Sequence, residues 1–88
     1  MIQNESVIQI CYAEYFVKST KVKAGLHAQP QGIGVRYYIV LEQQDAREIC
    51  DLGTDICAAR ELFLRVVWGG VSACTLADVV QDYAGTLF

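Results

Sequence analysis

Alternation with period two is clearest between residues 33 and 42. Ile33, Val35, Tyr37, Ile39 and Leu41 fall on one side of an extended chain, and Gly34, Arg36, Tyr38, Val40 and Glu42 on the other. That pattern predicts a half-buried strand. Residues 7–18 are rich in β-branched and aromatic side chains and also predict a strand. There, Ile8, Ile10, Tyr12 and Phe16 share one face and Val7, Cys11, Ala13, Tyr15 and Val17 the other. Both faces are largely apolar, so alternation does not choose an inner one. Residues 46–52 predict a short third strand after a turn at Gln43-Gln44-Asp45. Between the first two strands, residues 19–32 hold Gly25, Pro30 and Gly32 and read as a long mobile loop.

The period changes near Gly53. Ile56, Ala59, Phe63, Val66 and Val67 line one side at helical spacing, with Thr54 placed to cap the helix and Asp55 in its first turn. Glu61 and Arg65 form an i,i+4 pair with the acid first, the better order. Gly69-Gly70 ends the helix, since glycine reaches a left-handed cap without a Cβ penalty. A second helix follows. Ser72 is its expected cap, with Thr75 as the other start and Asp78 as box partner, and Leu76, Val80, Tyr83 and Leu87 form its apolar stripe. The expected fold is α+β, one small domain over residues 1–88: a three-stranded antiparallel meander followed by two antiparallel α-helices packed on one face. Ile33, Val35, Tyr37, Ile39, Phe63, Val66, Leu76, Val80 and Tyr83 are the expected core.

Composition sharpens one question. Apolar residues make up 53% of 88, rich for a domain with so much surface per volume. Either the core is dense or another chain covers some apolar surface. No apolar run approaches the roughly 18 residues of a membrane span, and the N-terminal stretch lacks a basic leader region. A cytoplasmic protein is expected. The four cysteines, Cys11, Cys50, Cys57 and Cys74, form no CxxC pair and read as reduced thiols, without disulfide or metal.

Net charge is −3, with eight of the ten acids beyond residue 41. That field does not suit a strongly basic nucleic-acid binder. It leaves one local cluster, Lys18, Lys21, Lys23, His27 and Arg36, just after Tyr12, Tyr15 and Phe16. Nucleic-acid or small-ligand binding by this basic 18–36 segment is the alternative functional reading.

Catalytic chemistry is not visible. Asp78 and Asp82 lie together on a helical face without a basic or imidazole neighbour in sequence and read as a solvated surface. His27, the sole histidine, has no cysteine at zinc-site spacing. Gly32-Ile33-Gly34 leads into a strand, so no helix N-terminus awaits a phosphate. The expectation is a non-enzymatic protein without cofactor or metal. One feature points to association: Cys57, Leu64 and Trp68 form a second stripe on the first helix, away from its core side. Such stripes mark interfaces, so a homodimer, or a complex with another protein, is expected.

From residue 33 onward the chain resembles a small Firmicute family classed as a domain of unknown function. The resemblance is carried by "GIGV" opening a strand, by the "DLGTD" helix entry, and by "GGVSACTLADVVQDY". Ser72, Leu76, Asp78, Val79, Val80, Asp82 and Tyr83 match the family's last run, while Ala73 and Cys74 stand where Pro and His are expected. The resemblance implies a cytosolic bacterial protein with strands before helices. It implies no activity.

Overall fold

The computed structural model describes residues 7–87, with side chains through Tyr83. Four strands come first, β1 (Ile8–Val17), β2 (Thr20–Gln31), β3 (Gly34–Gln43) and β4 (Ala46–Gly53), paired antiparallel in the order β1-β2-β3-β4. Helix α1 (Ile56–Gly69), a single 3₁₀ turn (Ala73–Thr75) and helix α2 (Leu76–Leu87) follow. The architecture is α+β as expected, but the sheet has four strands, not three. The supposed mobile loop at 19–32 is almost entirely β2, an interior strand. Leu87, placed on the α2 stripe by sequence, lies outside the described side chains, as do residues 1–6 in full.

The missed strand has a physical signature. Val22, Ala24, Leu26 and Ala28 are buried, and Lys21, Lys23, Gly25 and His27 alternate with them. Pro30 is tolerated because β1 begins at Ile8, opposite Ala28, so among the described residues only β3 pairs with β2 at Pro30. The β1–β2 connection is a two-residue hairpin in which Lys18 and Ser19 have φ of 52° and 72°. Positive φ at both central residues is the type I′ pattern, which Asn-Gly normally signals. Lys-Ser carries no such signal.

One face of the sheet receives both helices. Val22, Ala24, Leu26, Ile39 and Leu41 pack with Ala59, Leu62, Phe63 and Val66 of α1, and with Ala73 and Leu76. Phe63, Val66, Leu76 and Ile39 are core as expected, and Tyr37, Val80 and Tyr83 pack at its margin. Ile33 and Val35 are not core. Ile33 sits in the β2–β3 turn, fully exposed at 111% of its reference area, and Val35 pairs with Pro30 near the hairpin tip.

Asp55, not Thr54, caps α1: its carboxylate accepts from the backbone N–H groups of Cys57 and Ala58. At the other end Gly70 adopts φ 63°. Its N–H donates to the Val67 carbonyl and that of Val71 to the Val66 carbonyl, both at 3.2 Å, which is a Schellman closure. Ser72 makes no side-chain cap to backbone. Its hydroxyl meets Thr75 Oγ1 at 3.1 Å, and a 3₁₀ turn intervenes before α2.

Two hydrogen bonds fasten this junction to the sheet. Tyr15 Oη donates to the Val71 carbonyl at 2.6 Å, and the Ala73 N–H donates to Gln43 Oε1 at 2.9 Å. Burial pushes the Tyr15 phenol up to about 12. The Gly69-Gly70 segment is therefore an anchored turn.

Candidate functional site

The helices cover one face of the sheet, and the strand pleat decides what the other presents. From β1 come Gln9, Tyr12, Glu14 and Phe16, and from β2 Lys21, Lys23, Gly25 and His27. From β3 come Arg36, Tyr38, Val40 and Glu42, and from β4 Arg47, Ile49 and Asp51. The segment that sequence marked as a basic loop is thus strand, and most of its cations share one face. Lys18 lies in a turn, while Lys21, Lys23, His27 and Arg36 stand on this open face beside Tyr12 and Phe16, which is 67% exposed.

The cations there are largely answered by acids of the same chain. Lys21 Nζ lies 3.1 Å from Glu14, Arg36 Nε 2.7 Å from Asp51 and Arg47 Nε 3.2 Å from Glu42. Tyr12 donates to Glu14 at 2.6 Å. That bond, with the one from Lys21, holds the Glu14 carboxyl below its ordinary value and the Tyr12 phenol above it. The Arg36 guanidinium, helped by the Gly53 N–H, likewise holds Asp51 low. Interleaved pairs of this kind produce little net field.

Gly25 forms the floor of a hollow of about 100 Å³ on the open face, lined by Gln9, Tyr12, Lys23, His27 and Val40 among others. A Cβ at Gly25 would meet Gln9 Oε1 and His27 Nε2 at 2.9 Å. His27 and Gln9 approach within 3.3 Å across the β1–β2 pair. Among the described residues, no serine, threonine or cysteine lines this hollow.

A larger cleft of about 640 Å³ opens between β4, the start of α1 and α2. Leu52, Ala58, Leu62, Val80 and Tyr83 make it apolar, and Asp51, Asp55 and Arg36 stand at its rim. Both carboxylates are engaged, Asp51 by Arg36 and Gly53, and Asp55 by the first turn of α1. Among the described residues, the charged groups of this cleft are thus committed to partners within the chain.

Asp78 and Asp82 are exposed. Among the described residues, no three His, Cys, Asp or Glu side chains lie close enough to hold a metal ion, and no helix is long and apolar enough to cross a membrane. Cys57 and Cys74 are exposed, while Cys11 and Cys50 are half-buried. Burial, with the charge of Glu48, pushes the Cys50 thiol up.

The stripe of Cys57, Leu64 and Trp68 is where the sequence places it, on the side of α1 turned from the sheet. Trp68 is 84% exposed and Leu64 50%. Arg65 lies to one side of it, 5.1 Å from the centre of the Tyr83 ring, where α1 meets α2. Nothing among the described residues folds over the indole. Sequence alone does not assemble the open sheet face, because Gly25, Pro30 and Gly32 make its β2 component resemble a loop.

No family model matches the chain, nor does any curated protein or solved structure.

Proposed function

We propose that this chain is a non-enzymatic protein–protein interaction module of the bacterial cytoplasm that works by association, with Trp68 as anchor and Leu64 and Cys57 beside it. The exposure of Trp68 carries this reading. A tryptophan is enriched among interface anchors because it removes a large apolar area from water while ordering few torsions. Covering Trp68 and Leu64 together is worth on the order of 5 kcal/mol at about 25 cal/mol per Å², before the cost of association.

The test compares wild type with Leu64→Ser/Trp68→Ala by light scattering at high micromolar concentration and by retention of proteins from a bacterial lysate. The expected result is a mass above 9.8 kDa, or a retained protein, that the double variant lowers or loses. A wild type that stays at 9.8 kDa and retains nothing beyond what the variant retains refutes the proposal.

A second reading has one observation in its favour: Lys21, Lys23 and Arg36 share the open sheet face with Tyr12 and Phe16. Stacking aromatics beside cations suit single-stranded nucleic acid. The pairing of Lys21 with Glu14 and Arg36 with Asp51 weighs against it, since phosphate would have to displace a carboxylate at each. Lys21→Glu/Lys23→Glu would abolish binding to generic RNA and DNA if this reading holds. Wild type that binds neither removes it.

A further inference from the structure

The helices leave one face of the sheet without cover, and the rows across that face alternate in chemistry. Direct pairing places Glu14, Lys23, Glu42 and Arg47 in one row over the four strands, so charge runs negative, positive, negative, positive from edge to edge. The neighbouring row is Tyr12, Gly25, Val40 and Ile49 and carries no charge. Tyr12 and Ile49, at its two ends, are 50% and 51% exposed. Gln9, His27, Tyr38 and Asp51 form the row beyond.

We propose that a second copy of this chain packs its open face on this one, about a twofold axis that runs along the strands between β2 and β3. The inference rests on the association reading but places self-association on the sheet, on the side of the molecule away from the Trp68 stripe.

Charge complementarity selects the occupant and the axis. An alternating row with an even number of charges, read backwards, is its own complement. The proposed axis performs that reversal: it lays β1 on β4 of the second copy and β2 on β3, and every residue keeps its row. Glu14 then faces Arg47 of the second copy, and Lys23 faces Glu42. The same contacts recur from the other side, and no like charges meet within the row. The pair that Arg47 makes with Glu42 of its own chain, at 3.2 Å, is undisturbed. In the uncharged row Tyr12 faces Ile49, so the exposed ends of that row cover one another. Beyond it, Gln9 faces Asp51 and His27 faces Tyr38. An axis across the strands at the charged row would instead set Glu14 on Glu14 and Lys23 on Lys23, which like-charge repulsion opposes. An axis across the strands at the uncharged row turns Glu14 onto Gln9 and Glu42 onto Tyr38, and gives neither carboxylate a cation opposite. Sheets packed with strands within about 30° of each other stand about 10 Å apart, which accommodates side chains from both.

The area is sufficient. Under this axis β1 overlaps β4 over seven rows and β2 overlaps β3 over ten. At about 3.3 Å along a strand and ~4.8 Å between strands, the flat footprint is roughly 540 Å² per copy, or about 1,100 Å² for the pair, above the ~1,000 Å² expected of a specific interface. Side chains standing out of that plane add to it.

Reversing the whole row supplies the test. Glu14→Lys/Lys23→Glu/Glu42→Lys/Arg47→Glu keeps the alternation along the sheet and across the twofold axis. In a mixed dimer with wild type, every facing pair in the row has like charges. In analytical ultracentrifugation from roughly 10 to 500 µM, where interfaces of this size assemble, wild type and the reversed chain should each reach twice the mass of one chain. Native mass spectrometry of the two mixed, one of them isotopically labelled, should show mixed dimers at less than about a tenth of their statistical share. Ile49→Asp places a carboxylate opposite Tyr12 at an exposed site and should weaken the dimer at least about tenfold. That variant carries the test if the reversed chain does not fold, which circular dichroism reads. Leu64→Ser/Trp68→Ala should leave the dimer intact. A wild type that remains at 9.8 kDa overturns the inference, while retention of a lysate protein by Trp68 would still support the association reading. A reversed chain that folds and stays monomeric overturns it too, as do mixed dimers at their statistical share. A dimer kept by Ile49→Asp and lost by Leu64→Ser/Trp68→Ala also overturns it, and leaves the Trp68 reading standing.

Discussion

Tyr15→Phe removes one oxygen and isolates the bond that ties β1 to the junction between the helices. In wild type that hydroxyl donates to the Val71 carbonyl at 2.6 Å in a part-buried setting. A net hydrogen bond is worth about 1 kcal/mol, and a carbonyl left unpaired away from water adds to the loss. The expected cost is therefore about 1–2 kcal/mol, a sizeable share of the roughly 4–13 kcal/mol expected of a domain this size. It should lower the melting temperature by about 4–8 °C per kcal/mol. The cost should also depend on pH. Burial raises the phenol to about 12, against about 10 in an unfolded chain. A raised value means that the contribution is complete below pH 10 and is lost as pH rises from about 10 to 12. For a dry group the shift would correspond to about 2.7 kcal/mol. The ring is half-buried and screened, so about 1 kcal/mol is the better figure. Urea titrations followed by circular dichroism at pH 8, 10 and 11.5, roughly bracketing the two values, provide the assay. The gap between wild type and variant should be widest at pH 8 and should shrink towards pH 11.5. A gap below about 0.3 kcal/mol at pH 8, or one that stays constant across the series, refutes the anchoring role given to Tyr15.

Three further outcomes are expected. Replacing Lys18-Ser19 by Asn-Gly should stabilise the protein by about 1–2 kcal/mol in urea titrations, because both residues occupy a left-handed conformation that costs L-residues about that much. Asp51→Asn should flatten the acid limb of stability. The Arg36 bond holds this carboxyl below its ordinary value, so wild type has that contribution above the usual carboxylate range and loses it as pH falls through the lowered value, which acid titration by circular dichroism will read. Alkylation of the native protein followed by mass spectrometry should show Cys57 and Cys74 labelled first and Cys50 last, in the order of their exposure and of the raised Cys50 thiol.

What the sequence made legible follows a physical division. The inner face of β3 is readable at Tyr37, Ile39 and Leu41 because one side is buried under helices and the other is open. The end of α1 is readable because Gly70 must adopt a conformation that other residues avoid. β2 was hidden by its own chemistry. Ala24 and Ala28 are weak apolar markers, Gly25 and Pro30 imitate a loop, and the Lys18-Ser19 turn lacks the usual residues. The alternation of Val22, Ala24 and Leu26 with Lys21, Lys23 and Gly25 is nonetheless present, and it is the signal that marks the strand. Losing β2 also scattered the open face, since Lys21, Lys23 and His27 join Tyr12 and Arg36 only through its pairing. Ile33 was misplaced because period two says nothing of where a strand begins. The Trp68 stripe was visible because helical spacing alone sets it opposite the core.

The order of elements also constrains how the chain matures during synthesis. The sheet is a run of consecutive hairpins, so its pairing needs only near neighbours, which favours early formation. Its helix-facing side has no cover until α1 and Leu76 emerge. At roughly 5–20 residues per second, the interval between making Leu41 and making Leu76 is on the order of seconds. Until α1 follows within that interval, Val22, Leu26, Ile39 and Leu41, all with no exposed area in the finished molecule, lack their cover. A nascent chain stalled before Leu76 should therefore be a ready client for chaperones, although all four strands have already been translated.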